Sequence, residues 1–309
     1  MRDDVLAALD CGTNSTRLLI VDAGGAVRRR DMRITRLGAG VDATRELSAE
    51  AVDRTLEVLR HYREAMDAEG VTAARLVATS AVRDATNGDE FLRRAGDTVG
   101  TRAELLSGDE EGRLSFNGAT SGLAPGRGDT VVVDIGGGST ELVMEAEGQV
   151  RAVSLDLGCV RLTERCLRGD PPSPAELDHA GRVIAAELDR ACDAVPNLRA
   201  LRADSRLVGL AGTVSTLAAL DLGLVTYDRS RVHHAVLRAT AVAQWCEVLA
   251  AESAGQRLRR PGMVEGRQDV IVGGALVLRD VMRRFGFTEC LVSESDILDG
   301  LVDSLRQPG

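Results

Sequence analysis

No lysine occurs anywhere in the 309 residues, so all 38 basic side chains are arginines. Genomic base composition is the bland cause, but the consequence is chemical. A Walker A loop requires Gly-Lys-Ser/Thr and a protein kinase requires its strand lysine, so both are excluded. Any phosphate bound here must be met by backbone N–H groups, hydroxyls, a metal or the planar fork of arginine. A formal net charge of −9 provides no general basic face for nucleic acid. An anionic substrate would need a local basic site inside an acidic shell. The cysteines (Cys11, Cys159, Cys166, Cys192, Cys246 and Cys290) form no Cys-x-x-Cys pair and no Cys/His cluster. Buried free thiols are therefore expected, not a zinc site or disulfides. There is no apolar run long enough to span a bilayer and no basic-plus-apolar leader, so a cytosolic protein without a membrane partner is expected.

What is present centres on residues 134–141, Asp-Ile-Gly-Gly-Gly-Ser-Thr-Glu, flanked by Val131-Val132-Val133 and Leu142-Val143-Met144. The flanks read as strands and the glycines as a tight turn between them. Glycines without a Cβ let backbone N–H groups approach and point at an anion. Asp134 is placed to hold a divalent cation or its water shell, and Glu141 to orient a water. The same pattern occurs at residues 10–20. Asp10, Gly12, Ser15, Thr16 and Leu18 coincide in register with Asp134, Gly136, Ser139, Thr140 and Leu142. A repeated strand–turn–strand predicts two related domains, each offering a phosphate-binding turn to a shared cleft. The chain is long enough for two cores.

Along the chain, strands are expected at residues 5–9, 17–21 and 27–37, the third heavily basic. The Gly38-Ala39-Gly40 stretch fits a dinucleotide fingerprint on paper, but no apolar helix follows, so it reads as a loop. Ser48 caps a helix whose stripe is Val52, Leu56, Leu59 and Met66 and which ends at Gly70. A buried strand at 75–78 leads into a loop at 79–87, and then a short helix to about Arg94. A strand at 103–106 precedes a helix opened by Ser107. Residues 122–129, with Gly, Pro and Arg, are the best linker, so domains of residues 1–124 and 125–309 are expected, the terminal helix returning to the first. Beyond the second turn, strands are expected at 153–157, 207–210 and 291–293. Helices are expected from Ser173 to about Asp193, after Ala211-Gly212-Thr213, and at 239–252, 269–284 and 296–305. Trp245 reads as core, His233-His234 as structural, and Gly273-Gly274 as a close-packing point. Strands alternating with helices imply an α/β architecture.

Five ordered blocks carry a family resemblance: residues 10–17, 78–87 (Ala-Thr-Ser-Ala-Val-Arg-Asp-Ala-Thr-Asn), 107–113 (Ser-Gly-Asp-Glu-Glu-Gly-Arg), 134–141, and 211–213. With Arg267-Gln268-Asp269 and Val292-Ser293-Glu294 they span nearly the whole chain. Together they resemble the exopolyphosphatase/guanosine pentaphosphate phosphohydrolase family. The resemblance implies two actin-like (ribonuclease H-like) domains of the sugar-kinase and actin superfamily. It also implies Mg²⁺ and a homodimer. Blocks 78–87 and 107–113 are not expected in a sugar kinase. Two departures stand out. Longer members add C-terminal helical domains that would favour a tight hold on long chains, and Arg45 stands where many members have Gly.

By this resemblance Glu111, on the first turn of its helix, is the catalytic base. The blander alternative is a surface carboxylate favoured by the helix dipole. Glu110, roughly 100° around the helix, is set aside on the resemblance alone. Asp134 and Glu141 would share a Mg²⁺ and the attacking water. Asp10 is either a further metal ligand or a turn cap. Arg83 would grip phosphate, with Arg17, Arg113 and Arg267 as weaker candidates. Asn14, Ser15, Gly137, Gly138 and Ser139 would form the cradle. No Ser/His/Asp or Cys/His set is evident, so water is expected to attack directly. Four functions compete: release of terminal orthophosphate from polyphosphate, conversion of guanosine pentaphosphate to tetraphosphate, a kinase or ATP-driven switch with adenosine near Gly212, and a non-catalytic sensor of guanosine polyphosphates. The short chain favours short polyphosphate.

Overall fold

The computed structural model describes residues 4–124, 128–146 and 148–306. The linker expected at 122–129 falls partly on residues 125–127, outside the described residues. By its internal packing the chain divides into two compact units. The first runs to Gly118 and takes in the chain again from Ile297; the second is Ala119–Asp296.

The first unit holds β1 (Leu6–Cys11), β2 (Ser15–Val21), β3 (Val27–Ile34), α1 (Val41–Thr44), α2 (Ala49–Glu69), β4 (Ala73–Ala78), α3 (Ser80–Asp84), α4 (Gly88–Val99), β5 (Ala103–Leu105) and α5 (Gly108–Thr120). Its sheet has the order β3-β2-β1-β4-β5. β2 runs antiparallel to β1 and β3, whereas β4 is parallel to β1 and β5. β1 is buried along its whole length because both faces of the sheet are covered. On one face Leu9, Leu18 and Ile20 pack with Leu56, Leu59, Tyr62 and Phe91. On the other, Ala8, Leu19 and Val77 pack with residues of the terminal helix. Each such aliphatic burial is worth about 1.5–3 kcal/mol.

The second unit holds β6 (Thr130–Ile135), β7 (Thr140–Ala146), β8 (Gln149–Leu155), α6 (Cys159–Cys166), α7 (Pro174–Ala194), a 3₁₀ turn at Pro196–Ala200, β9 (Arg206–Leu210), α8 (Ala211–Asp221), α9 (Arg229–Val232), β10 (Val236–Arg238), α10 (Ala239–Ala250), α11 (Ala254–Leu258), α12 (Ile271–Phe285) and β11 (Glu289–Val292); α13 (Ile297–Arg306) belongs to the first unit. The sheet order is β10-β11-β9-β6-β7-β8. Apart from β10, added antiparallel at one edge, it repeats the first sheet strand for strand: two antiparallel neighbours on one side of the central strand, two parallel ones on the other. This duplicated α/β arrangement is the ribonuclease H-like, or actin-like, fold. Among the described residues no helix is long and apolar enough to cross a membrane.

Several local expectations are corrected. The loop expected at 79–87 contains the helical turn α3, and α4 continues past Arg94 to Val99. Gly96 is accommodated inside α4 because its bare Cα lies against the Thr101 carbonyl, 3.1 Å from where a Cβ would sit. β8 begins at Gln149, not Val153, because pairing with β7 extends through the polar, exposed end of that edge strand. The short elements α6, α9, β10 and α11 and the 3₁₀ turn are absent from the sequence reading. Gly38-Ala39-Gly40 is a loop followed by only a four-residue helix. Trp245 is partly buried against the second core, its Nε1 donating to Asp221 Oδ1 at 3.2 Å.

Candidate functional site

The first turn joins β1 to β2. Their register sets Asp10 opposite Arg17, and the Gly12 amide donates to Ser15 O at 3.0 Å to close the turn. Its carbonyls are held from outside: Gly38 N donates to Thr13 O at 2.9 Å, and the Thr35 and Arg36 amides donate to Asn14 O at 3.1 and 3.0 Å. That contact requires Gly38 to be glycine, because a Cβ there would lie 2.3 Å from Thr13 Cγ2. The second turn joins β6 to β7 with the same geometry. Asp134 faces Glu141, and Gly136 N donates to Ser139 O, again at 3.0 Å. Here the carbonyls of Gly136 and Gly137 accept from the first amides of α6: Cys159 N at 2.9 Å, Val160 N at 2.9 Å and Arg161 N at 3.1 Å. The buried Arg161 adds Nε to Gly138 O at 2.6 Å. Gly158 lets the helix approach, since its Cβ would sit 2.3 Å from Gly137 O. In both turns the carbonyls are thus tied back. Among the described residues the amides of Thr13, Asn14, Gly137 and Gly138 are left without a protein acceptor, the arrangement that suits an anion.

The turns differ in one cross-strand pair. At the first, Arg17 clasps the buried Asp10, donating from Nε and Nη2 to Oδ2 at 3.0 and 2.6 Å. The guanidinium supplies the positive charge that a buried carboxylate requires. The clasp takes only Oδ2; Oδ1 of Asp10 is buried without a hydrogen-bond partner among the described residues. At the second turn the equivalent pair is two carboxylates, Asp134 and Glu141, 8 % and 1 % exposed. Directly opposed residues on antiparallel strands project from one face with Cβ atoms about 5 Å apart, and like charges there repel. Ser154 Oγ donates to Glu141 Oε1 at 2.7 Å, which orients the side chain but adds no charge. Among the described residues no three His, Cys, Asp or Glu side chains converge on a metal position. Two oxygen donors beside a phosphate-shaped turn are nonetheless the set Mg²⁺ takes when phosphate oxygens and water complete its shell.

Elsewhere in the first unit, Glu111 and Arg83 meet. Glu111 lies in the first turn of α5, and Arg83 in the last turn of α3. Arg83 Nη1 donates to Leu106 O at 2.8 Å and reaches Glu111 Oε2 at 3.4 Å. Their side chains are 28 % and 12 % exposed, so both remain reachable. Glu110 is placed differently. Its Oε2 accepts from Ser107 N and Oγ at 2.9 and 2.7 Å while its own amide donates to Ser107 Oγ. This reciprocal cap holds the Glu110 carboxyl below its usual range. Arg113 forms an exposed pair with Asp109 and Asn87 clasps the Leu47 backbone from both ends of its amide, so neither is directed to a ligand.

In the second unit the Arg267 guanidinium lies on Gly212. A Cβ there would be 1.0 Å from Nη1, so the space beside the start of α8 is filled by arginine. His233 Nδ1 accepts from Glu294 N at 3.0 Å, and its ring stacks on His234. Gly273 and Gly274 of α12 face Thr163 and Thr213 at distances no side chain would permit. The cysteines are free and buried. Burial pushes the Cys246 and Cys290 thiols up to about 12, and those of Cys11, Cys159 and Cys166 also upward. Sequence reasoning missed Gly38, Gly158, Ser154 and Arg161. The glycines carry no local signal, because each is required by a residue at least 20 positions away.

Comparison with known proteins places this geometry in a class. The model of the Ppx/GppA phosphatase family matches residues 14–307, and the chain belongs to that family. It is 42 % identical over 316 residues to Exopolyphosphatase 2 of Mycobacterium tuberculosis, covering 97 % of this chain and 98 % of that one. Among solved structures, an exopolyphosphatase-like protein superposes with a TM-score of 0.91 at 34 % identity, covering 97 % of this chain and 98 % of the other. The Ppx/GppA family member of Aquifex aeolicus superposes with a TM-score of 0.80 at 31 % identity, covering 98 % of each.

Proposed function

We propose that this chain is an exopolyphosphatase that releases terminal orthophosphate from inorganic polyphosphate. The observation that carries the reading is the exchange of Arg17 for Glu141 between two turns that share Asp, Gly, Ser, Thr and Leu in register. At the first turn Arg17 pairs with Asp10, and at the second Asp134 faces Glu141, two carboxylates on adjacent strands that would hold a metal. Asp134 and Glu141 would hold Mg²⁺, which when bound neutralises phosphate charge as the bridging bond breaks. The Asn14, Ser15, Gly137, Gly138 and Ser139 groups would cradle phosphate oxygens. Arg83 would exchange part of its contact with Glu111 for a phosphate oxygen, a bidentate match for a guanidinium. Glu111 would then accept a proton from the attacking water as its oxygen bonds to the terminal phosphorus. The bridging P–O bond opposite breaks, and the shortened chain leaves with the bond's electron pair. Arg267 on Gly212 counts against a nucleoside in that position, and so favours polyphosphate over guanosine pentaphosphate or ATP. A cytoplasmic homodimer is part of the same proposal.

The test is orthophosphate release with Mg²⁺ from tripolyphosphate, long polyphosphate, guanosine pentaphosphate and ATP, compared side by side. Release from polyphosphate that chelation stops and Mg²⁺ restores is expected. Turnover confined to the pentaphosphate would replace the reading with the nucleotide phosphohydrolase. Binding without turnover would replace it with a sensor, and transfer of phosphate from ATP to an acceptor with a kinase.

A further inference from the structure

The acidic chain concentrates positive charge in one place that the proposed chemistry does not use. Residues 27–36 contain Arg28, Arg29, Arg30, Arg33 and Arg36 against a single acid, Asp31, in a protein of net charge −9. The structure makes this segment β3, the outermost strand of the first sheet, exposed over much of its length. An edge strand commonly carries charge to discourage pairing with other chains, but one or two residues suffice for that. Arg30 is committed to the fold, forking onto Asp299 of α13 at 2.7 and 2.6 Å. Arg28 Nη1 donates to Glu69 O at 3.5 Å and stands 4.0 Å from its carboxylate, and Arg29 pairs with Asp31 on the open surface. Exposed pairs of this kind are worth about 0–1 kcal/mol and exchange readily for a phosphate. Arg33 is exposed and makes no side-chain hydrogen bond or ion pair among the described residues.

The strand leads to the phosphate turn. Ile34 pairs with Ser15, Arg33 with Thr16, and the next two amides support Asn14 O. At roughly 3.4 Å per residue its eight residues extend about 27 Å from that turn. Arg29, Asp31 and Arg33 share one face, the two arginines about 14 Å apart. We propose that the outer edge of β3 is a polyanion track that holds the distal phosphates of a long polyphosphate whose reacting end is bound by the same unit. The proposal rests on the hydrolysis argued above. Inorganic polyphosphate is favoured over single-stranded nucleic acid because β3 carries no aromatic platform: its only apolar residues are Val27, Met32 and Ile34, and bases need stacking surfaces. A chain of phosphates without bases needs only spaced guanidinium forks.

The double variant Arg29→Gln/Arg33→Gln tests it. Dissociation constants for labelled long polyphosphate and for poly-uridylate are measured in low and moderate salt, together with kcat and KM on long polyphosphate and tripolyphosphate. The long-chain Kd and KM are expected to rise about fivefold or more. The salt dependence should flatten by about 0.7 in log–log slope per lost contact, while tripolyphosphate kinetics stay within about twofold. An unchanged long-chain Kd overturns the track, as does an equal rise in tripolyphosphate KM. Poly-uridylate binding tighter than polyphosphate and lost in the variant assigns the edge to nucleic acid instead. Should the wild type release no phosphate yet bind long chains through these arginines, the hydrolytic reading falls and the track stands. Hydrolysis with unaltered binding gives the reverse.

Discussion

Glu110 and Glu111 are chemically identical neighbours, and the backbone gives them different work. Glu110 turns back to cap Ser107, while Glu111 faces Arg83. Glu111→Gln is therefore expected to lower kcat for phosphate release by about 10²–10⁴, the usual contribution of a general base, with KM little changed. Glu110→Gln should leave kcat within about twofold and instead lower the melting temperature slightly. Steady-state kinetics beside thermal unfolding separates the two, and equal kcat losses would remove the distinction. Arg45 offers a second residue-scale test. Its φ of 59° and ψ of 24° lie in the left-handed region, where a side chain costs about 1–2 kcal/mol and glycine nothing. The Arg45 carbonyl still serves the fold by accepting from Thr86 N and Oγ1, and glycine would keep both bonds. Allowing for the greater freedom of glycine in the unfolded chain, Arg45→Gly should stabilise by about 0.5–1 kcal/mol in denaturant unfolding. Destabilisation would mean that the arginine side chain is itself needed.

Elements show why part of the structure is legible in sequence and part is not. The paired turns are legible because Asp-x-Gly-x-x-Ser-Thr is local: strand, closing hydrogen bond and strand lie within about ten residues. The caps at Ser48 and Ser173 are legible for the same reason. The seat of the second turn is not. α6 has eight residues and no side-chain cap, and its first amides are satisfied by Gly136 and Gly137 carbonyls that become neighbours only on folding. Arg83 reaches Glu111 across 28 positions because α3 and α5 follow adjacent parallel strands; only the family resemblance suggested them for one site. The α7 cap gives an element-scale prediction. Glu176 accepts from the Arg168 and Gly169 amides through Oε1 and from Ser173 N and Oγ through Oε2. These donors, chiefly Ser173, lower its carboxyl to about 2, against about 4.3 in an unfolded chain. The folded state therefore binds this proton less readily than the unfolded state. Its stabilisation is complete above about pH 4.3 and is lost as pH falls through about 2. In melting experiments from pH 2 to 7, the advantage of wild type over Glu176→Gln should be constant near neutrality and shrink below about pH 4. A difference unchanged at low pH would show that the carboxylate charge is not what strengthens the cap.

At the scale of the whole molecule, the first core is built from both ends of the chain. α13 is the last described element, yet it packs on β1, β2 and β4 and covers the face of the first sheet opposite α2. Gly300 lets it come close to α5: a Cβ there would lie 2.2 Å from the Leu114 carbonyl. Arg75 bonds Ser304 at 2.6 Å and Arg30 forks onto Asp299, so polar ties flank the apolar contact. Leu301 is completely buried at the centre of that contact. Truncating a buried leucine removes its transfer free energy and leaves a cavity, together about 2–5 kcal/mol. Because α13 follows β1 by nearly 290 residues, the sheet bearing the first phosphate turn lacks one face until that distant segment packs on it. Leu301→Ala should therefore loosen the first unit selectively. Hydrogen exchange by mass spectrometry is expected to show faster exchange in peptides covering β1 and β4, with β6 and β9 of the other core as the internal reference at wild-type rates. Phosphate release should weaken in parallel as temperature rises, because the Asp10 turn is carried by β1. Unchanged exchange in β1 would mean that α13 merely covers a sheet already stable without it, and equal acceleration in β6 would mean that the two cores unfold as one.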